Sequence, residues 1–496
     1  MMMGMNSEQK TGYILSADAG TTAVKVVLVT EKLEPVTSAS VEVKTYFEGN
    51  HIEQDPEEWY QAFVSAVKEI LSRGYEAADI TGISFSGQMQ DLIFLGDDRM
   101  TVGRALLYSD ARADVEAEEV LAAIGASDVE EHFGNHFDAS IPFAKLVWVK
   151  KNEPEKLAKA GKIVFSSKDY IIYRLTGRAV SDVVASSTAG LMDIHEKIWM
   201  KEWMTAVGLS DDLLPELKYP AEAAGIVDEL GASTSGLCAG TVVYTGAGDA
   251  GATTLASGII SPGEYNINLG TTGWVASVSD HIVKGGVFNL ASVMPGVYIN
   301  VCPFFNAGNV HGWVAKALTP DAEQEMKYSY IGELLKESEP GCHGTFFLPY
   351  LVGERYPVSD DKIKGAYIGI TPNTTKQDLA RACLEGVAYS LRSGFKSEIK
   401  AMSLIGGGAQ EDVWCQIFAD ALDHETMVFN NAEFLPAISV ASMAVIGSGK
   451  MTYEEFIGQI RESNDCKTFQ PEAEAVAVMD EAYEVFKRIY PALKEV

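Results

Sequence analysis

Two stretches of this chain, SADAGTTAVKVVLVT at 16–30 and EYNINLGTTGWVASVS at 264–279, place the same three letters inside the same pattern. Each has an apolar approach, a Gly-Thr-Thr bend and an apolar exit, which reads as strand, tight turn, strand. The two bends lie 250 residues apart in a chain of 496. An echo at half the chain length points to a duplicated α/β unit. The expected cut falls near residue 246, giving domains 1–246 and 247–496, each β-rich at its start and helical at its end.

The bends also raise a chemical question. Glycine permits a sharp turn whose amides converge on one point, and threonine hydroxyls add donors of the same reach. Gly20, Thr21 and Thr22, like Gly270, Thr271 and Thr272, are therefore either polar hairpin tips or cradles for an anion. Two cradles at matched places could clamp a polyphosphate from opposite sides. Asp18, at the end of its apolar run, would repel phosphate oxygens unless a cation intervened. Its natural role is to hold Mg²⁺, and its plainer one is to cap the turn. Lys25 reads as the solvent-facing side of its strand and stays outside the site.

Further acids and amides stand at strand ends. In GAGDAGATTLASG, 246–258, Asp249 sits among small residues at a helix start, either as an N-cap or as an acceptor for a hydroxyl proton. FSGQMQDLIF presents Gln88, Met89 and Gln90 at a strand-turn-strand junction. LLYSDARAD presents Asp110 and Arg112, a set able to hydrogen-bond several hydroxyls. GGGAQ, 406–410, is either a tight strand-to-helix connection or a place where a flat ligand approaches backbone at Gly407, Gly408 and Ala409.

Helices are expected from Pro56, with Trp59, Phe63 and Val67 on one face, over 142–151 and 167–175, and after Thr375, where Asp378 completes a capping box. VIGSGKM, 445–451, imitates a phosphate loop, but Ala444 replaces its first glycine and Met451 its hydroxyl. The histidines show no zinc pattern, and six scattered cysteines read as free thiols of a reducing cytoplasm. Acidic residues outnumber basic ones 69 to 39, a net charge of −30 that argues against nucleic acid and anionic membranes. The polar N-terminal stretch has no signal-peptide core, and FLPAISVASMAVIG, 434–447, is too short to span a bilayer.

Taken in order, ADAGTTAVKV, EQDPEEWY, GQMQ, YSDAR, KDYIIYRLTG, GAGDAGA, NLGTTG, LPYLVGERYP, LEGVAYS and LIGGGAQ resemble the FGGY carbohydrate kinase family, in its xylulokinase-like branch. The resemblance runs from Tyr13 to Gly447. It implies two ribonuclease-H-like, actin-like ATPase domains flanking a catalytic cleft, with ATP on the second domain and sugar toward the first. It also implies Asp249 as catalytic base and Asp18 as the acid near Mg²⁺ and substrate. The two Gly-Thr-Thr bends would contact phosphate, and Gly407, Gly408 and Ala409 the adenosine. A homodimer is a further expectation. The chain departs from the pattern at Gln90, where the family has histidine, at Tyr108, where it has tryptophan, and at AISVA, where it has an ALGAA-like segment.

The expected reaction is ATP-dependent phosphorylation of a sugar hydroxyl, with a ketopentose such as D-xylulose as acceptor. Its rivals are a kinase for another ketose or polyol (a hexulose, erythritol or glycerol), an actin-like assembly protein, and a silent sugar-binding relative.

Overall fold

A computed structural model describes residues 12–319, 324–429, 434–463 and 465–494, so most of the polar N-terminal stretch lies outside the described residues. The chain divides into two compact units. The first comprises residues 1–256, 289–298 and 433–456, and the second 257–288, 299–432 and 457–496.

The first unit is built on the expected hairpin. Tyr13–Ala19 and Ala23–Thr30 pair antiparallel, with Asp18 opposite Lys25, and Pro35–Glu42 pairs on the outer side of the second strand. Ile80–Gly87 runs parallel to Tyr13–Ala19, setting Ser86 beside Asp18 and Gly87 beside Ala19. Val242–Tyr244 and Ala247–Gly248 run parallel to Ile80–Gly87 on its other side. Ala223–Ile226 pairs antiparallel with Val242–Tyr244 and ends the sheet.

The buried face of this sheet, with Ala17, Ala19, Val24, Val26 and Leu28, forms one core with Trp59, Phe63 and Val67 of the helix Pro56–Ser72. Pro56 opens that helix, and Asp55 caps it by accepting from the Glu57 amide at 2.9 Å. Each of the large apolar side chains contributes roughly 1.5–3 kcal/mol by leaving water. The helix Leu435–Gly447, apolar on nearly every side, packs against Tyr13–Ala19 and Ile80–Gly87. Its fit is close: a Cβ on Gly447 would stand 2.1 Å from the Ala221 carbonyl oxygen.

The second unit repeats this connectivity. Glu264–Leu269 and Gly273–Ser279 form the hairpin, with Leu269 opposite Gly273 at the bend and Tyr298–Phe304 next outward. Ala401–Ile405 is parallel to Glu264–Leu269, Thr426–Phe429 is parallel to Ala401–Ile405, and Cys466–Phe469 closes the sheet antiparallel. The echoed letters therefore mark equivalent bends of two like-wound α/β units. Thr375 and Asp378 make the expected capping box at the head of Lys376–Arg392. The six cysteines are free thiols. The Gly-Ser-Gly-Lys imitation ends a helix, and its Lys450 pairs with Glu31 at 2.8 Å. Among the described residues no helix is long and apolar enough to cross a membrane.

Candidate active site

In the first unit, β-pairing brings the acids together. Asp18 ends its strand in register with Ser86, whose Oγ donates to Oδ1 at 2.5 Å. Desolvation raises the Asp18 carboxyl above its usual range, against the opposing pull of Ser86 and of the Lys25 charge across the hairpin. Lys25, set aside on sequence grounds, is therefore part of this electrostatic environment.

Asp249 opens the helix Asp249–Ala256, directly after Gly248, which lies beside Gly87 in the sheet. Its side chain is reached by solvent, yet protein crowds it enough that desolvation pushes the carboxyl up to about 7. The Asp18 and Asp182 carboxylates push the same way, while the Ala250 amide, donating to Oδ1 at 2.7 Å, opposes them. Because the Asp18 charge reaches Asp249, the two carboxyls form a two-carboxylate donor set. That set fits Mg²⁺, which keeps most of its waters and takes one or two carboxylates besides substrate phosphate. Among the described residues no cluster of three or more potential metal ligands exists.

The small residues around Asp249 serve chain packing. Gly246 has φ of +66°, and a Cβ there would lie 1.8 Å from the Phe85 carbonyl oxygen. A Cβ on Gly248 would lie 2.5 Å from both Cγ and Sδ of Met89. So Met89 forms the floor under this segment, and the glycines admit neighbouring protein where the sequence suggested room for a ligand.

A buried ionic cluster holds the same segment. Asp182 Oδ1 accepts from the Val184 amide at 2.9 Å, the Ala185 amide at 3.0 Å and the Gly248 amide at 3.3 Å. Lys168 Nζ lies 2.8 Å from Asp182 and 2.6 Å from Asp169, all three fully buried. Burial works against the ammonium, but its two carboxylate partners hold its pKa above the usual lysine value. Neither Asp182 nor Lys168 was singled out from sequence; the KDY signature was the only hint. Ser439, in the departing AISVA segment, donates to the Ala252 carbonyl at 2.8 Å and so touches the helix that Asp249 begins.

The first bend is braced by amides. Thr21 Oγ1 donates to Gln88 Oε1 at 2.7 Å, and Gln54 Nε2 donates to the Thr21 carbonyl at 2.7 Å. Gln88 Nε2 in turn donates to Gln54 Oε1 at 3.1 Å, and Gln88 is buried. Gln88 thus positions Gly20, Thr21 and Thr22, with Gln54 an unforeseen partner. Gln90 has φ of +64°, a left-handed conformation rare outside glycine and typical of functional sites. Its Nε2 donates to Ser140 Oγ at 2.9 Å. Asp110 is buried, and both its oxygens are engaged: the Ile52 amide donates at 2.7 Å and Arg112 Nε at 2.9 Å. Tyr108 is exposed beside it.

The second unit holds a cavity of about 790 Å³, whose walls include Gly270, Thr271, Gly308, Gly407 and Gly408. The bend is fastened to the next helix, Gly308–Leu318, through the Gly308 amide to Gly270 O at 2.7 Å and the Asn309 amide to Thr271 O at 3.0 Å. Thr271 and Thr272 are exposed at its tip. Of the three consecutive glycines, Gly406 (φ +91°) and Gly408 are packed, and a Cβ on Gly408 would meet Trp414 at 2.6 Å. Gly407 faces open space, and Ala409 is buried behind it. A cavity with glycine walls, exposed hydroxyls at one bend and buried aromatics is suited to a nucleotide.

Comparison with known proteins agrees. The model of the FGGY family of carbohydrate kinases, N-terminal domain, matches residues 13–256, and that of its C-terminal domain matches residues 265–445. The xylulose kinase of Lactococcus lactis subsp. lactis is 30% identical over 98% of this chain and 97% of its own length. That of Bacillus subtilis is 29% identical over 97% of each. The solved structure of xylulose kinase from Rhodospirillum rubrum superposes with a TM-score of 0.86 at 25% identity, covering 97% of this chain and 99% of that one.

Proposed function

The chain belongs to the FGGY family of carbohydrate kinases, enzymes that phosphorylate a sugar with ATP, and from that premise we propose that its acceptor is a ketopentose such as D-xylulose. Asp249 is the general base, and Asp18 is the acid near the metal and the sugar. Gln88, Met89, Gln90 and Asp110 belong to the sugar side, Gln88 and Asp110 acting through the segments they brace. Gly20, Thr21, Thr22, Gly270, Thr271 and Thr272 contact phosphate, and Gly407, Gly408 and Ala409 the adenosine.

The observation that carries the reading is Asp249: a solvent-reached carboxyl at a helix start, pushed up to about 7 beside a second carboxylate. A base poised near the operating pH has the greatest capacity to take a proton in the transition state. The acceptor hydroxyl attacks the γ-phosphorus while Asp249 takes its proton. The new O–P bond forms as the bond to the β-phosphate oxygen breaks, releasing ADP. Asp18 would hold Mg²⁺ through water, and the bound ion would supply neutralisation of charge on the phosphate oxygens. The bend amides and threonine hydroxyls donate to the same oxygens.

The substitution of Gln90 for histidine favours a second reading, in which another ketose or a polyol is the acceptor. Gln90 keeps donor and acceptor capacity but does not titrate. A coupled assay of ADP release across pentuloses, hexuloses, glycerol and erythritol tests both. The ketopentose reading expects the highest kcat/KM on D-xylulose, and a tenfold preference for another acceptor replaces it. ADP release independent of every sugar rejects both. Cytoplasmic location and a homodimer belong to the same proposal; sedimentation tests the latter.

A further inference from the structure

One polar group in the second unit's cavity is unaccounted for by phosphate binding. His311 stands on the first turn of Gly308–Leu318, one turn beyond the glycine tied to the bend. It lines the cavity together with Tyr328, Gly407 and Gly408, and it is only 7% exposed. Its ring meets Tyr328 edge-on at 5.0 Å and Trp414 at 5.3 Å. Its Nε2 is closed from solvent and has no hydrogen-bond partner among the described residues. A buried polar atom left unpaired costs stability, so its retention in a ligand cavity calls for a partner that arrives with the ligand.

Resting on the reading of this cavity as the nucleotide site, we infer that His311 is a nucleoside-recognising residue, hydrogen-bonding the base or ribose of the bound purine nucleotide. Burial lowers the imidazole to about 4, so the ring is neutral at physiological pH. A neutral ring gives no net charge to a phosphate, but it offers one N–H donor and one acceptor, the complement a nucleoside presents. The cavity's lining already includes a cation in Lys336, next to Glu333. The aromatic neighbours fix the ring's orientation, which makes the hydrogen bond selective.

The test uses the full chain and the His311→Leu, His311→Gln and Gly407→Leu variants, with ADP binding followed by calorimetry. His311→Leu weakens ADP binding and raises KM for ATP by about 2- to 12-fold, the worth of one net hydrogen bond, with kcat and the sugar KM within twofold. His311→Gln recovers most of the affinity. The ligand-free His311→Leu protein melts about 2–4 °C higher, because an unpaired buried group has been removed. A purely structural histidine would instead lower the melting temperature. With 2′-deoxyADP and inosine diphosphate, the analogue whose penalty disappears in His311→Leu identifies ribose or base as the partner.

Unchanged ADP affinity in His311→Leu overturns the inference, as does an equal loss of sugar and nucleotide. Gly407→Leu separates this from failure of the underlying reading: its side chain enters open cavity space. Lost ADP binding in Gly407→Leu beside a silent His311→Leu rejects the histidine's role alone. Intact ADP binding in Gly407→Leu rejects the cavity as the nucleotide site.

Discussion

Replacing Gly248 by alanine tests how the fold sets the position of Asp249. The added Cβ would lie 2.5 Å from Cγ and Sδ of Met89 and 3.3 Å from Ala185 Cα, whereas ordinary contacts begin at 3.4 Å. Met89 is buried and packs under the strand end, so the overlap is relieved by moving either the methionine or the segment that leads into Asp249. Overpacking of this kind costs ~1–3 kcal/mol. A displacement of about 1 Å at a reacting group costs roughly 10²-fold in rate. Gly248→Ala is therefore expected to lose about 10²-fold in kcat, with ADP binding unchanged because Gly407 and Thr271 are untouched. Met89→Ala in the same chain removes both clashing atoms and should recover at least tenfold, a coupling read from the double-mutant cycle. Sugar-dependent ADP release gives kcat, and thermal denaturation checks folding. Turnover in Gly248→Ala within threefold of wild type would refute the reasoning, and so would a slow variant that Met89→Ala leaves slow.

Asp249→Ala should fold and bind ADP yet turn over ~10²–10⁴-fold more slowly, the usual worth of a positioned base; near-normal rates remove it from the chemistry. Because that base works ionised and its carboxyl sits at about 7, kcat/KM should climb about tenfold per pH unit below neutrality and level off above it. Asp18→Asn takes away the like charge that helps raise Asp249, so the acid limb should move to lower pH in whatever activity remains; a flat wild-type profile from pH 5.5 to 8 contradicts the assignment. Lys168→Met leaves Asp169 and Asp182 buried without their cation, at a cost of ~3–5 kcal/mol; urea unfolding within ~1 kcal/mol of wild type would show that the cluster is not holding the segment.

The hairpins were legible because they are local: the apolar runs on either side of Gly20 and Gly270 mark strand, bend and strand without help from distant residues. Asp18 and Asp249 stood out for a similar reason, each being an acid set among apolar or small residues at a strand end or a helix start. Partnerships across long separations were not legible. Gln88 reads as a free amide, yet its carbonyl accepts from Thr21, 67 positions away, and its amide donates to Gln54, 34 away. The bond from Gly248 to Asp182 spans 66 positions. Glycine told least, because Gly246 and Gly407 look alike in sequence while one abuts the Phe85 carbonyl and the other faces open space. His311 gave no signal at all, since an isolated histidine on a helix declares neither its burial nor its missing partner.

The helix Leu435–Gly447 carries a kinetic consequence for biosynthesis. It covers the strands Tyr13–Ala19 and Ile80–Gly87, which are synthesised long before it, so those strands lack their final cover until residue 447 has been made. At typical elongation speeds of about 5–20 residues per second, that wait after residue 256 lasts on the order of 10–40 s. Nascent chains stalled before this point would present an apolar sheet surface to chaperones, and those stalled beyond it would not.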